Sequence, residues 1–375
     1  MEFELTEEQQ LIRRTARELA AAEFADNPFP DPGEGYPWGY ARTLAEHDLL
    51  GIRLPQAYGG EGMSALDTVV AMEGVGEVSP IAASTIHMAS FGPPQAIASF
   101  GDEELCERYL PDVARGESII AIGMSEPEAG SDATSMETSA EDDGDAWVVN
   151  GEKSWVSEAP HAEAFLVYVR MPDGYIGSLI VDEDTPGFTV ADPDMNMANQ
   201  PQSQLFLDDA RVPKENTLLT GPDAFRKQIT AYNIERVGSA TKVWISARWA
   251  LQEALDYSKQ REQFGQPIGE FQAVEHRLAK MVTKVTNMRF LIYNALADDE
   301  LPSRLESSMA KVYVTEEGQE VVDDALQIKG AAGYVGDTPE SFLLRYVRGY
   351  RIASGTTDIH RTMIAKSLRE SGLPH

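Results

Sequence analysis

The sequence predicts an α+β chain of several domains in which a helical stretch, a β stretch and a second helical stretch follow one another. Three observations carry this. Apolar residues recur at three-four spacing up to about residue 114. From about Ile119 to Leu207 they shorten to alternating or continuous runs of strand length, broken by turn residues. After Gly221-Pro222 long helical patterns return and continue far into the chain. The boundaries fall at 1–119, 120–225 and 226–375, with no internal repeat and no low-complexity linker.

Each element has a local reason. Thr6 followed by Gln9 is a capping-box signature, and Leu11, Ile12, Ala16, Leu19 and Ala20 then lie on one helical face. Helices are expected next over Trp38–Leu49, Ala65–Val78, Ile81–Phe100 and Glu103–Ala114. The run Ser118–Gly123 (SIIAIG) reads as a strand entering the interior, and Pro127 ends regular structure after it. Further strands are expected at Ala146–Val149, Phe165–Val169, Ile176–Val181, Phe188–Val190 and Gln204–Leu207, with Asn150-Gly151 and Pro186-Gly187 as turns. The late helices are Ala224–Gln260, Glu270–Ala297 and Ser303–Ile328, the second carrying Met281, Val285, Met288, Ile292 and Ala295 at four-three spacing.

Composition removes several classes of function. With 42% hydrophobic and 25% charged residues the chain is globular, and one cysteine, Cys106, allows neither an internal disulfide nor a cysteine metal cluster. The six histidines lack HExxH spacing, so no metal site is expected. No apolar run reaches transmembrane length, and Met1–Gln10 is too acidic for a secretory signal, which points to the cytoplasm. The net charge of -30 repels nucleic acid and anionic membrane surfaces, so neither is expected as a partner. Acids are spread along the chain (Asp142–Asp145, Asp298–Glu300, Glu316–Glu320) and Arg outnumbers Lys, a balance suited to a high-salt cytoplasm.

Four stretches carry chemical groups in patterns suited to a ligand. Gly123–Asp132 (GMSEPEAGSD) crowds hydrogen-bonding side chains at a strand end, where a rigid support aims them. In Asn150–Ser157 (NGEKSWVS), Trp155 and Ser157 are two apart and so share a strand face, offering an aromatic and a hydroxyl to a planar heterocycle. Arg261–Gln272 (REQFGQPIGEFQ) interrupts two helices and presents Arg261, Gln263, Phe264 and Gln272, suited to a diphosphate and sugar hydroxyls. Gln327–Tyr334 (QIKGAAGY) supplies small residues where a backbone can approach a ligand.

These stretches run in a recognisable order with GIRLPQAYGG (51–60), FGDEELCERYLP (100–111), ARVPKEN and SGTTDIHR. So ordered, the chain resembles the acyl-CoA dehydrogenase family over nearly its whole length. The resemblance implies an N-terminal helical domain, a central β-barrel-like domain and a C-terminal four-helix bundle, with FAD as cofactor and a homotetramer as the common assembly. It also implies that Ile122, Met124, Ser125, Gly130 and Ser131 bind flavin, with Ser131 touching the pantetheine arm as well. By the same matching, Trp155, Val156 and Ser157 lie against the isoalloxazine. Arg261, Gln263, Phe264, Gln272, Gln327, Ile328 and Gly330 meet the FAD of a neighbouring protomer, followed by Thr356 and Asp358. The implied reaction removes the α-proton of an acyl-CoA thioester to a carboxylate and a β-hydride to flavin N5, giving a trans-2-enoyl-CoA. Electrons then pass to an electron-transfer flavoprotein.

The chain departs from that pattern at one position. Many family members carry the catalytic glutamate directly before the Gly-Thr of the last motif, where this sequence (RIASGTTDIHR) has Ser354. A serine hydroxyl does not take a carbon-bound proton near neutrality, although the backbone N–H of that turn still polarises a carbonyl. A minority, including isovaleryl-CoA and long-chain acyl-CoA dehydrogenases, place the glutamate on a C-terminal-domain helix before an arginine. Asn233-Ile234-Glu235-Arg236 matches that arrangement. Glu235 is therefore the expected base, with Ser131, Asn233, Arg236, Ser354 and Gly355 toward the substrate. Against dehydrogenation with Glu235 stand an oxidase-like flavoenzyme and a flavin and acyl-CoA binding protein without the activity. His360 beside Arg361 is expected to be structural or at the surface, and Glu126 to orient backbone.

Overall fold

The computed structural model of this chain describes residues 5–297 and 301–373. The acidic run Asp298–Glu300 lies outside the described residues. Before the sheet come α1 (Glu7–Glu23), α2 (Trp38–Ala45), α3 (Ala65–Gly76), α4 (Pro80–Ser90), α5 (Pro93–Phe100) and α6 (Glu103–Ala114). The capping box forms as expected: Gln9 N donates to Thr6 Oγ1 at 3.1 Å and Thr6 N to Gln9 Oε1 at 3.2 Å. One expectation fails here. The single helix over Ile81–Phe100 is two, because Pro93 and Pro94 supply no N–H to a preceding turn and are accepted only at the start of a new helix.

Strands β1 (Ile120–Gly123), β2 (Ser139–Asp143), β3 (Ala146–Ser157), β4 (Ala164–Arg170) and β5 (Ile176–Asp182) follow. They continue into β6 (Phe188–Val190), β7 (Asp194–Met195), β8 (Pro201–Pro213) and β9 (Thr217–Leu219). The order is β6-β8-β3-β2-β4-β5-β9, with β7 on β8 and with β1 parallel to β4, so the sheet is mixed. It is also strongly curled. In a flat sheet β5 and β8, four steps apart, would stand roughly 19 Å from each other at normal strand spacing, yet the two are in contact. The run FLVYV of β4 is buried throughout, which is why it reads as continuous and not alternating.

Asn150-Gly151 is not a turn. It lies inside β3 at a bulge, where pairing with β8 jumps from Val149 opposite Ala210 to Gly151 opposite Leu207. Asn150 Nδ2 donates to Asp209 Oδ1 at 3.0 Å and Asp209 N donates to Asn150 Oδ1 at 2.9 Å, closing the irregularity. A Cβ on Gly151, whose φ is 144°, would meet Thr138 Oγ1 at 2.5 Å, so glycine is required. The hairpin turn between β2 and β3 lies instead around Gly144. Pro186-Gly187 does turn the chain into β6.

After the sheet come α7 (Ala224–Gln260), a short ribbon of β10 (Glu262–Gln263) and β11 (Gln266–Pro267), α8 (Gln272–Ala295) and α9 (Arg304–Lys329). The last elements are α10 (Ala331–Tyr334), α11 (Pro339–Gly349) and α12 (Thr357–Ser371). The chain divides into two compact units: Met1–Phe29 with Ser64–Ser84 and Asn233–His375, and Pro30–Met63 with Thr85–Tyr232. In the first, α1 packs on α3, while α8, α11 and α12 all pack on α9. Trp244, fully buried, anchors α7 by donating its indole N–H to Val285 O at 3.1 Å. In the second, α5 lies against β1 and β9.

Candidate active site

The loop after β1 is built around a buried ion pair. Glu126 and Ala129 exchange backbone hydrogen bonds of 3.0 and 3.2 Å, so Pro127-Glu128 is a tight reversal. The Glu126 carboxylate is buried and points back. It accepts from Lys153 Nζ at 2.7 Å, Glu137 N at 2.6 Å and Thr138 N at 3.0 Å. Burial alone would raise the Glu126 pKa, but the Lys153, Thr138 and Glu137 donors outweigh it and hold the carboxyl below its ordinary value. Burial lowers Lys153, and its partner opposes that. Ser154 N donates to Ser125 O at 2.8 Å, tying the loop to β3. Ile122 sits on β1 and Met124 and Ser125 follow it, while Gly130 and Ser131 lie exposed at the loop's far side.

Lys153 is fully buried, and directly after it β3 carries a second irregularity, between Lys153 and Val156. That places Trp155 in a left-handed conformation (φ 61°) with 65% of its surface exposed. Ser157 is exposed and Val156, between them, is buried, so the indole and the hydroxyl both face outward as the strand period requires. In the other unit, Arg261, Gln263, Phe264 and Gln272 are exposed around the β10–β11 ribbon, Phe264 to 95% and at φ 54°. Gln327 and Gly330 are exposed at the end of α9, where Ile328 is buried. Thr356 caps α12, its side chain accepting from Ile359 N, and Asp358 stands exposed in the first turn.

The first unit also holds a buried polar cluster. Glu235 is 7% exposed on α7 and Arg236 is buried beside it, so neither is an ordinary surface charge. Ser239, one turn on, donates its hydroxyl to Glu235 Oε1 at 3.0 Å and lies 3.3 Å from Ser354 Oγ. Ser354 occupies a left-handed turn (φ 57°) after α11, followed by Gly355. His360 is buried: its ring nitrogens lie 3.1 Å from Ser354 O and 3.1 Å from Ser308 Oγ, a structural role. Burial, then the Arg236 and Lys311 charges, push it down to about 4, so its imidazole is neutral near pH 7. Arg236 donates to Asn233 Oδ1 at 2.5 Å, and Asn233 in turn to Pro302 O at 3.0 Å.

Ser239 belongs to the small-residue turn after Glu235, whereas Lys311 stands outside every sequence motif. Lys311 is fully buried on α9, donating to Tyr350 O at 2.5 Å and Ala353 O at 2.7 Å. The signal was present: Ser307, Lys311, Val314 and Gly318 share the three-four spacing of a core face, and a lysine there is anomalous.

Comparison with known proteins decides the lineage. Residues 6–117, 121–210 and 225–369 match the N-terminal, middle and C-terminal domains of acyl-CoA dehydrogenase. The chain belongs to the acyl-CoA dehydrogenase family. Family membership makes it a flavin-dependent oxidoreductase acting on acyl-CoA, with FAD as cofactor. The 3-sulfinopropanoyl-CoA desulfinase of Paraburkholderia xenovorans is 35% identical, over 98% of this chain and 97% of that protein. A caffeyl-CoA reductase-Etf complex subunit of Acetobacterium woodii is 31% identical, over 97% and 98%. The structure of a glutaryl-CoA dehydrogenase in complex with glutaryl-CoA superposes at a TM-score of 0.92, with 29% identity over 100% and 98%.

The residues present suit the family's flavin. An indole left 65% exposed beside an outward hydroxyl, on a strand kinked to present it, offers a planar apolar surface with a hydrogen-bonding edge. Neither region gathers metal ligands, and no group of three or more His, Cys, Asp or Glu able to hold a metal occurs among the described residues. No described helix is long and apolar enough to cross a membrane.

Proposed function

We propose that the chain oxidises the α,β-bond of an acyl-CoA thioester to a trans-2-enoyl-CoA, with Glu235 as the base that takes the α-proton. The observation that carries this reading is the Glu235–Ser239–Ser354 chain of hydrogen-bond distances, 3.0 and 3.3 Å. It sets a buried carboxylate two hydroxyls from the position where many relatives keep their glutamate. When bound, FAD supplies the hydride acceptor. Trp155, Val156 and Ser157 bind the flavin ring, with Ile122, Met124, Ser125, Gly130 and Ser131 along the loop that Glu126 and Lys153 brace. Ser354 and Gly355 turn the backbone toward the thioester carbonyl, where N–H donors stabilise the developing enolate oxygen. Arg236 and Asn233 orient the CoA end. Arg261, Gln263, Phe264, Gln272, Gln327, Ile328, Gly330, Thr356 and Asp358 complete the cofactor set, the exposed members across a subunit boundary in a homotetramer.

An electron-transfer flavoprotein is the proposed acceptor, a reading supported by the Etf-complex subunit among the relatives. The distributed acid further supports a high-salt cytoplasm as the working environment. One observation favours a second reading. The desulfinase at 35% identity bears a name other than dehydrogenase, so acyl-CoA binding on this scaffold serves more than one reaction.

Anaerobic mixing with straight, branched, aromatic and carboxylated acyl-CoAs separates the readings. Bleaching of the flavin absorbance with enoyl-CoA formation is expected for at least one. Rapid re-oxidation by air would instead favour an oxidase. Binding without bleaching across the panel would contradict the dehydrogenase reading.

A further inference from the structure

Lys311 is costly and is not needed merely to fill space. An ammonium moved wholly out of water loses its hydration, and its two partners here, the carbonyls of Tyr350 and Ala353, are neutral. Charged and titratable groups face it from three other elements. From α7 come Glu235, Arg236 and Lys242; from the end of α11 comes Tyr350, over whose ring Lys242 Nζ sits at 4.9 Å; from α12 comes His360. Of these only Glu235 carries negative charge. Lys311 also grips the backbone directly before Ser354, the residue whose hydroxyl meets Ser239 and whose carbonyl meets His360.

We propose that Lys311 is the positioning residue of the Glu235 base. Its ammonium clamps the Tyr350 and Ala353 carbonyls, which holds Ser354 in the left-handed turn that completes the Glu235–Ser239–Ser354 chain. The same charge faces the Glu235 carboxylate. The inference rests on the reading of Glu235 as base. Its titration is consistent with that place: burial, then Arg236, pull Lys311 down to about 7, while Glu235 opposes them. The coupling is reciprocal, so removing the Glu235 charge must lower the Lys311 midpoint further.

The test follows the Lys311 ¹³Cε resonance through a pH titration of the full-length holoprotein labelled in lysine, with Lys311→Arg for assignment. The wild-type midpoint is expected near 7, and Glu235→Gln is expected to shift it downward. An unmoved midpoint in Glu235→Gln would overturn the proposal without reference to turnover. Lys311→Met supplies the kinetic arm, with a roughly 100-fold slower anaerobic flavin reduction expected at unchanged flavin content, as for a misplaced reacting group. Lys311→Arg should recover most of the rate and lose the pH step near 7. If Lys311→Met keeps the wild-type rate and pH profile while Glu235→Gln is inactive, the positioning role fails alone. If Glu235→Gln stays active, the base assignment itself has failed.

Discussion

Two buried lysines serve the two regions in different ways. Lys153, behind the loop after β1, faces a carboxylate at 2.7 Å, and that carboxylate also takes two backbone N–H groups. Every charge there is met at hydrogen-bond distance, which makes a rigid support. Lys311, beneath the Ser354 turn, meets the backbone carbonyls of Tyr350 and Ala353, and the Glu235 carboxylate that faces it accepts from the Ser239 hydroxyl. A closed pair braces structure. A lysine bound to backbone carbonyls instead holds the turn that carries Ser354.

Breaking the closed pair should have the largest effect on stability. Lys153→Met or Glu126→Ala leaves the other charge buried alone, and a loss of about 3–5 kcal/mol is expected in urea denaturation of the holoprotein. A loss under 1 kcal/mol would dissolve the contrast.

The second lysine should reveal itself through pH. With a folded pKa of about 7, below the ordinary lysine value, the unfolded chain binds more protons between there and about 10.4. The Lys311 contribution therefore opposes folding fully below pH 7, and the opposition fades as pH rises toward 10. Measured as the difference between wild type and Lys311→Met, stability should move by about 2–4 kcal/mol in favour of wild type over that window. A difference independent of pH would contradict the assignment.

A smaller effect is expected where the loop region meets its cofactor. Trp155→Ala should weaken FAD retention by roughly ten-fold through lost stacking, without shifting the Lys311 titration. The smallest and most diffuse effect belongs to the whole surface. Raising salt from about 0.1 to 1 M shortens the screening length from about 10 to 3 Å and should raise the melting temperature of a chain of net charge -30 by a few degrees. Full stability in dilute buffer, unchanged by salt, would count against the high-salt reading.

Much of this was legible in the residues. Helical and strand periods located α7, α9, β4 and β6 to within a residue or two at each end. Thr6 and Gln9 announced their own cap. What stayed hidden depended on partners distant in sequence. Asn150-Gly151 carries a turn signature, yet Asp209 from β8 converts it to a bulge. Strand period predicts Trp155 and Ser157 on one face, and both do face outward; the left-handed backbone at Trp155 is what the period does not predict. Glu235 has the local pattern of a surface glutamate. It is buried beside Ser239, which reaches the Ser354 turn, a neighbour that no local window contains. The departure at Ser354 points to Glu235 in the sequence, whereas the Ser239 link between them exists only in three dimensions.

The central claim is that Glu235 takes the proton. Glu235→Gln keeps the size and one acceptor oxygen while removing the base, so the holoprotein should bind FAD and acyl-CoA normally. Measured by anaerobic stopped flow, its flavin reduction should slow by roughly 10³-fold or more, within the range that a positioned base contributes. Flavin reduction at the wild-type rate in that variant would contradict the account.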